Sequence, residues 1–192
     1  MKKIIAAATA VVSCFLTGHK GNTAQTESPS FYSFTVNGID GNELSLSEYK
    51  GKTLLVVNTA SKCGFTKQYE SLETLYTAYK GRSFEVLAFP ANNFLNQEPD
   101  DNAQIKEFCT TKFNVSFPLL AKISVKGDDI HPLYRYLTSV PGFEGDISWN
   151  FNKFLIDSNG NVVARFGSRV DPLDSEIITQ LEKILPPVNS PE

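Results

Sequence analysis

The feature that most constrains the fold is a continuous apolar run at residues 53–59, which reads TLLVVNT. A run of this length without alternation is typical of a β-strand that is buried on both faces, as in parallel sheets. Residues 66–80 follow with side chains at helical spacing, namely Tyr69, Leu72, Tyr76 and Tyr79. A second buried strand is expected at residues 84–89. A strand, a helix and a strand in this order predict a right-handed parallel βαβ unit.

Turn residues divide the rest of the chain into further elements. An N-terminal β-hairpin is predicted from residues 31–36 and 43–46, which flank Asn-Gly and Asp-Gly turns. A second hairpin is predicted from residues 153–156 and 162–166, which flank the turn sequence DSNG. The strands of this second hairpin are expected to extend the sheet in antiparallel fashion.

Three further helices are expected. The first is capped by Asp101 or Asn102 and runs to about residue 113. A shorter helix starts near Pro132. The last begins at Asp171-Pro172 and ends before Pro186. The order of elements places helices on both faces of a central mixed β-sheet. We therefore predict an α/β protein with a thioredoxin-like fold and an N-terminal β-hairpin.

The first residues differ in composition from the rest. Two lysines precede an apolar run at residues 4–12, which is too short to span a bilayer as a helix. This arrangement is typical of a secretory signal peptide, predicted at residues 1–13. Cys14 follows small residues as in a bacterial lipobox and is a candidate for lipidation; the alternative is an ordinary signal peptide cut near Ala24. Both predict an exported protein, either periplasmic or a membrane-anchored lipoprotein.

Composition indicates one domain after the signal. Residues 14–30 are predicted to be a disordered tether, residues 31–186 a thioredoxin-like domain, and residues 187–192 a tail. The formal net charge is −3 and no basic patch occurs, which gives no reason to expect nucleic acid as a partner. The two histidines, His19 and His131, stand apart from any carboxylate cluster, so neither a metal nor another cofactor is predicted.

Cys63 follows the first buried strand and precedes the first helix. Free N–H groups at the start of a helix favour a thiolate over a thiol, and the thiolate is the nucleophile. The neighbouring Lys62 adds a positive charge. An unreactive buried cysteine is the plainer interpretation, and a static disulfide between Cys63 and Cys109 is another for an exported chain. The position between strand and helix favours a reactive cysteine.

Three sequence blocks occur in order along the chain. They are VNTASKCGFT at residues 57–66, FPANNFLNQEP at residues 89–99 and WNFNKFL at residues 149–155. Each resembles a signature block of the glutathione peroxidase family, and the resemblance extends over about residues 31–186. It implies a thiol peroxidase with a catalytic set formed by Cys63, Gln97, Trp149 and Asn150.

The side chains of this set suit such chemistry. The indole N–H of Trp149 can only donate a hydrogen bond, whereas the amides of Gln97 and Asn150 can donate and accept. Donors held around a thiolate and a peroxide stabilise the charge that develops as the O–O bond breaks. Taken singly, Trp149 could be a core residue, Gln97 a solvated loop residue and Asn150 a turn former. Only their occurrence together with the Cys63 block favours catalysis.

The resemblance also implies a function for Cys109. Residues 107–118 are similar to the segment that carries the resolving cysteine in thioredoxin-dependent members of the family. Cys109 would condense with the sulfenic acid of Cys63, and a thioredoxin-like dithiol would reopen the disulfide. Because the two cysteines start on separate elements, residues 105–112 are expected to unwind locally. The alternative is a Cys109 that is buried and has no redox function.

The chain also departs from the family pattern. Ala91 stands where many thioredoxin-dependent relatives have cysteine, although the resemblance does not assign resolution to that position. The stretch between Tyr136 and Ile147 is short, which implies a monomer. No basic cluster matches the carboxylates of glutathione, so glutathione is the weaker candidate for the reductant. The expected substrates are hydrogen peroxide and organic or lipid hydroperoxides.

Other classes fit the residues less well. A peroxiredoxin requires Pro and Thr before its cysteine, where this chain has Val56 and Ala60. A thioredoxin-type reductase has C-x-x-C, but the fourth residue here is Thr66. A cysteine hydrolase needs a histidine base, and His131 is expected to cap a helix. The non-enzymatic alternative is a redox sensor or a binding lipoprotein in which two cysteines form a switch or a staple.

Overall fold

The computed structural model describes residues 30–187. The predicted signal peptide at residues 1–13, the lipidation of Cys14 and all of the tether except its last residue lie outside the described residues. So does the predicted tail after residue 187. Within residues 30–187, no helix combines the length and the apolar composition that a bilayer span requires.

Residues 30–187 form a four-stranded sheet and a two-stranded hairpin. The strands are β1 (Thr35–Asn37), β2 (Glu43–Ser45), β3 (Thr53–Thr59), β4 (Phe84–Pro90), β5 (Lys153–Ile156) and β6 (Val162–Phe166). Strands β1 and β2 make the antiparallel N-terminal hairpin. The main sheet has the order β4-β3-β5-β6, in which β3 is parallel to β4 and antiparallel to β5. The predicted mixed sheet is therefore confirmed.

Helices cover both faces of this sheet. They are α1 (Gln68–Tyr79), α2 (Asn102–Phe113), α3 (Pro132–Leu137) and α4 (Ser175–Ile184). Leu55 and Val57 of β3 belong to the core shared with α1, α2 and α4, whereas Leu54 and Val56 belong to the core shared with α3. Because both faces of β3 are buried, its sequence shows no alternation. This arrangement confirms the thioredoxin-like fold.

Two element boundaries differ from the sequence prediction. Phe31–Ser33 form a short 3₁₀ turn, so the first strand begins later than expected. The last helix begins at Ser175 rather than at Asp171-Pro172. The Asp171 carboxylate accepts the backbone N–H of Leu173 at 3.0 Å, and a turn precedes the helix for this reason.

Helix α2, which carries Cys109, begins with a capping box. The Asp101 carboxylate accepts the N–H of Gln104 at 2.9 Å, and the Gln104 side-chain oxygen accepts the N–H of Asp101 at 3.1 Å. These bonds satisfy two donors that the helix itself leaves free. At the other end, Asn114 adopts a left-handed backbone conformation with φ of 53° and terminates the helix.

We expect Asp101→Ala to lower the free energy of unfolding by about 1 kcal/mol, because the variant loses the cap of α2. Asp174→Ala is the matched control, since Asp174 stands at the start of α4 but makes no side-chain capping bond. Urea unfolding followed by circular dichroism measures both losses. An Asp101→Ala loss no larger than that of Asp174→Ala would contradict the importance of the capping box.

Candidate active site

Asn58, a buried polar residue near the end of β3, holds the third sequence block against the first. Its side-chain Nδ2 donates to the carbonyl oxygen of Trp149 at 3.1 Å, and its Oδ1 accepts the N–H of Asn152 at 3.0 Å. Its backbone carbonyl accepts the N–H of Phe151 at 2.6 Å. Phe151 has a positive φ of 62°, so the chain turns sharply before β5. These bonds fix the backbone that carries Trp149 and Asn150.

Gln97 joins the second block to the other two. Its side-chain Oε1 accepts a hydrogen bond from Nδ2 of the buried Asn150 at 2.9 Å. Its backbone carbonyl accepts the N–H of Lys62 at 2.9 Å, directly before Cys63 in the chain. The rings of Phe94 and Trp149 also meet, with centroids 5.4 Å apart. Residues from all three blocks therefore meet beyond the end of β3.

Cys63 lies half-buried in a turn between β3 and α1. The backbone N–H of Phe65 donates to its Sγ at 3.4 Å. Its own N–H donates to Oγ1 of Thr66 at 3.0 Å, and the Thr66 hydroxyl donates to the carbonyl of Ala60 at 2.9 Å. Because α1 begins only at Gln68, the donor to the sulfur comes from the turn and not from the helix itself. This corrects the expectation that the free N–H groups at the start of the helix serve the sulfur of Cys63.

Lys62 makes an ion pair with Asp100 at 3.0 Å, with both side chains partly exposed. Its ammonium group is thus held by a carboxylate. The positive charge that the sequence indicated beside Cys63 is therefore paired with the carboxylate of Asp100.

Two neighbouring cavities open at this end of the sheet. One, of about 400 Å³, is lined by Cys63 together with Lys67, Phe108, Lys112 and Phe113, among others. The other, of about 470 Å³, is lined by Phe65, Ser148, Trp149, Gly167, Ser168, Arg169 and Val170. Phe65 connects the two, since its N–H donates to the sulfur of Cys63 and the residue also lines the second cavity. Cys63 and Trp149 thus face adjoining spaces.

Buried Lys153 fixes the wall of the cavity beside Trp149. Its ammonium group donates to the backbone carbonyls of Gly167 and Val170. Burial lowers the pKa of Lys153 to about 8. The lysine of the third block therefore orders the segment that faces Trp149, a function that the sequence did not suggest.

Cys109 has a very different environment. Its side chain is fully buried in the core formed by α1, α2 and the sheet, and both Cys63 and Cys109 are free cysteines. Burial raises the pKa of the Cys109 thiol to about 11; the neighbouring Tyr69 hydroxyl lowers it, and the charge of Glu98 raises it. Cys109 is therefore a protected thiol in this conformation.

Glu98 is a residue of the second block for which sequence reasoning found no function. Its side chain is fully buried, and Oε2 accepts the hydroxyl proton of Ser61 at 3.1 Å. Burial raises the pKa of Glu98 to about 7, although the hydrogen bond from Ser61 lowers it. The sequence held one signal, an acidic residue directly after Gln97, but a loop glutamate is normally solvated.

His131 caps α3, as predicted: its Nδ1 accepts the N–H of Leu133 at 3.2 Å. Burial lowers the pKa of His131. Among residues 30–187, no group of three or more His, Cys, Asp or Glu side chains is placed to hold a metal ion.

Comparison with known proteins identifies the family. The family model for glutathione peroxidase matches residues 31–138, more than half of the chain. The glutathione peroxidase homolog BsaA of Halalkalibacterium halodurans is 49% identical over 158 residues, which cover 81% of this chain and 99% of that protein. The hydroperoxy fatty acid reductase gpx1 of Synechocystis is 46% identical over 171 residues, which cover 85% and 99%.

Comparison with solved structures leads to the same family and fold. The crystal structure of T. cruzi GPX1 matches with a TM-score of 0.64 and 42% identity, covering 81% of this chain and 96% of that one. A thiol:disulfide interchange protein of Chlorobium tepidum matches with a TM-score of 0.58 at 18% identity, covering 77% and 91%, and shares the fold alone. The chain therefore belongs to the glutathione peroxidase family and is an oxidoreductase that reduces hydroperoxides.

Proposed function

We propose that Cys63 is the peroxidatic residue of this enzyme. Its thiolate attacks one oxygen of ROOH, an S–O bond forms as the O–O bond breaks, and the alkoxide takes up a proton and leaves as ROH. Cys63 remains as a sulfenic acid. The observation that carries the proposal is the position of its Sγ, which is half-buried at a cavity and accepts a backbone N–H.

Gln97, Trp149 and Asn150 are proposed to hold the peroxide and to stabilise the leaving oxygen. The bond between Asn150 Nδ2 and Gln97 Oε1 leaves the Gln97 amide donors for the substrate. Trp149, which lines the adjoining cavity, carries an indole N–H that is proposed as a further donor. Preorganised donors lower the barrier because they need no rearrangement when charge develops on the oxygen.

Cys109 is proposed to resolve the sulfenic acid. Phe108, Lys112 and Phe113, from the second half of α2, line the cavity that holds Cys63, so this helix is adjacent to the reacting sulfur. Cys109 itself lies in the core, and its thiol reaches Cys63 only after residues 105–112 loosen. The product is a Cys63–Cys109 disulfide and one molecule of water.

A thioredoxin-like dithiol is proposed to reduce this disulfide, with glutathione as the weaker candidate. The substrates are hydrogen peroxide and organic or lipid hydroperoxides, and the relative from Synechocystis carries the name hydroperoxy fatty acid reductase. Such an enzyme serves the response to oxidative stress.

Substitution of each cysteine separates the two steps. We expect Cys63→Ser to abolish peroxide consumption, because a hydroxyl is not a comparable nucleophile at neutral pH. Cys109→Ser should consume about one equivalent of peroxide and then stop, because its sulfenic acid has no intramolecular partner. Both are measured with thioredoxin plus its reductase and with glutathione plus its reductase. Continued thioredoxin-supported turnover by Cys109→Ser would refute the resolving function, and wild-type turnover with glutathione alone would refute the proposed reductant.

The amide donors can be tested in the first step alone. We expect Gln97→Ala and Asn150→Ala each to slow sulfenic acid formation by roughly 10²-fold, in the range found when one preorganised donor is removed. The control is Asn159→Ala, at the exposed tip of the hairpin between β5 and β6. Stopped-flow Trp149 fluorescence after mixing with hydrogen peroxide gives the rate. Rates within twofold of wild type would argue that the amides only support the fold.

We also propose that the chain is exported and that Cys14 is lipidated. In a Gram-negative host, the full-length protein is expected in the membrane fraction with a diacylglyceryl group on an N-terminal Cys14, detected by mass spectrometry. Cys14→Ala should lose the lipid and leave the membrane. A periplasmic protein that begins near residue 25 would favour the ordinary signal peptide, and an unprocessed cytoplasmic protein would refute export.

A further inference from the structure

A buried carboxyl group lies between the two cysteine-bearing segments. Glu98 uses Oε2 to accept the hydroxyl proton of Ser61, two residues before Cys63. Its backbone is held by a bond from its N–H to Asn92 Oδ1 at 2.9 Å and by a bond from Lys122 Nζ to its carbonyl at 3.3 Å. Its second carboxyl oxygen, Oε1, is buried and meets no hydrogen-bond partner within the described part of the chain. One oxygen of this acid is thus available inside the protein.

Cys109 is fully buried as well. The hydroxyl of the fully buried Tyr69 lies beside the thiol of Cys109 and the hydroxyl of Thr59. The charge of Glu98 raises the pKa of both Tyr69 and Cys109, so the carboxylate acts electrostatically on both groups. Thr59 Oγ1 and Tyr69 Oη, like Glu98 Oε1, are buried without a hydrogen-bond partner among residues 30–187. Unpartnered buried polar atoms are costly, and a group of them beside a reacting thiol calls for a functional reason.

The resolving step, in which Cys109 attacks the sulfenic acid of Cys63, presents a chemical difficulty that the Glu98 carboxyl group can solve. Burial raises the pKa of the Cys109 thiol to about 11, so about one molecule in 10⁴ carries a thiolate at pH 7. The thiolate is nevertheless the form that attacks the sulfur of a sulfenic acid. The hydroxide that leaves Cys63 must also be protonated. The reaction therefore needs a base near Cys109 and an acid near Cys63.

We propose that Glu98 transfers the proton in the resolving step, and this rests on the proposed resolving function of Cys109. The Glu98 carboxylate takes the proton from the Cys109 thiol. Once residues 105–112 loosen, the Cys109 sulfur attacks the Cys63 sulfur, an S–S bond forms, and the S–O bond of the sulfenic acid breaks. Glu98 returns the proton to the leaving hydroxide, on the side where it contacts Ser61, and water departs. The carboxylate is regenerated, so no further reactant is consumed.

The charges around Glu98 suit this function at neutral pH. Burial raises its pKa to about 7, and Asp100 acts in the same direction; the hydrogen bond from Ser61 and the charge of Lys122 oppose it. Tyr69 from α1 and Cys109 from α2 are the other titratable groups that face it. A base whose pKa lies near the working pH is effective, because it is partly ionised and still holds a proton well.

The sign of the pH dependence follows from the carboxylate being the active form. The rate of disulfide formation should rise as the pH passes through about 7 and then level off, well below the pH at which Cys109 ionises by itself. The free energy of unfolding should change with pH in the opposite direction to the rate of disulfide formation. The folded-state pKa of Glu98 lies above its ordinary value of 4.5, so the folded protein binds more protons, and stability falls as the pH rises from about 4.5 to 7.

The experiment uses the full chain with one equivalent of hydrogen peroxide and rapid quenching between pH 5.5 and 9. Dimedone labels the sulfenic acid, maleimide labels the free thiols, and mass spectrometry counts both. We expect Glu98→Gln to form the sulfenic acid within twofold of the wild-type rate and to form the disulfide at least tenfold more slowly at pH 7.5, given that general acid–base catalysis contributes about 10²–10⁴-fold. The rise near pH 7 should disappear. Glu107→Gln, an exposed acid on α2, should match the wild type.

Ser61→Ala provides a second variant that retains the acid. It removes the bond that lowers the pKa of Glu98, so the rise in disulfide formation should move to higher pH without disappearing. A wild-type rate and pH profile in Glu98→Gln would overturn the proposal, and so would equal slowing of both chemical steps. Failure of the wild type to form a Cys63–Cys109 disulfide would instead refute the resolving function itself. Urea unfolding at pH 8 verifies folding, where Glu98→Gln should be at least as stable as the wild type.

Discussion

The site depends on the pairing of one buried amide with a neighbouring loop. Asn58 ends an otherwise apolar region of β3, and its side chain uses both its donor and its acceptor on the backbone around Trp149 and Asn152. A buried amide left unpaired costs about 1–3 kcal/mol, so the loop has one strongly favoured position. That position puts the buried Asn150 within hydrogen-bond distance of Gln97. The relative placement of the second and third sequence blocks thus follows from Asn58. Its buried amide is satisfied only when the loop around Trp149 and Asn152 takes this position.

The two cysteines illustrate opposite uses of burial. Cys63 lies in a turn, half-exposed, with an N–H group at its sulfur, whereas Cys109 is fully buried in the core beside the Tyr69 hydroxyl. The first environment suits reaction with a small peroxide at any time. The second keeps a thiol out of contact with solvent. The helix that carries Cys109 is bounded by the capping box at Asp101 and by Asn114 in a left-handed conformation, and these two ends set its local stability.

Comparison with the sequence-based predictions shows which kinds of signal are dependable. Unbroken apolar runs predicted β3 and β4 because the signal and the physical cause, burial on both faces, are the same. The start of α4 was predicted wrongly because the dipeptide Asp171-Pro172 is typical of two structures. It suits the first turn of a helix, and it equally suits the turn that the Asp171 carboxylate makes with the N–H of Leu173. The donor to the sulfur of Cys63 was assigned to the helix because the length of the intervening turn is not encoded in hydrophobic periodicity. Glu98 was missed because burial of a single glutamate leaves no pattern along the chain.

The sequence by itself determined the mixed sheet, the helices on its two faces and, through three blocks of matching residues, the family and the candidate residues Cys63, Gln97, Trp149 and Asn150. These features are local in the chain, so spacing and residue type suffice to reveal them. Only the tertiary structure decided that Asn58 orders the loop, that Lys62 is engaged by Asp100, and that Glu98 and Cys109 are both fully buried. Such properties arise from desolvation and from contacts between residues distant in the chain, and both exist only once the chain has folded.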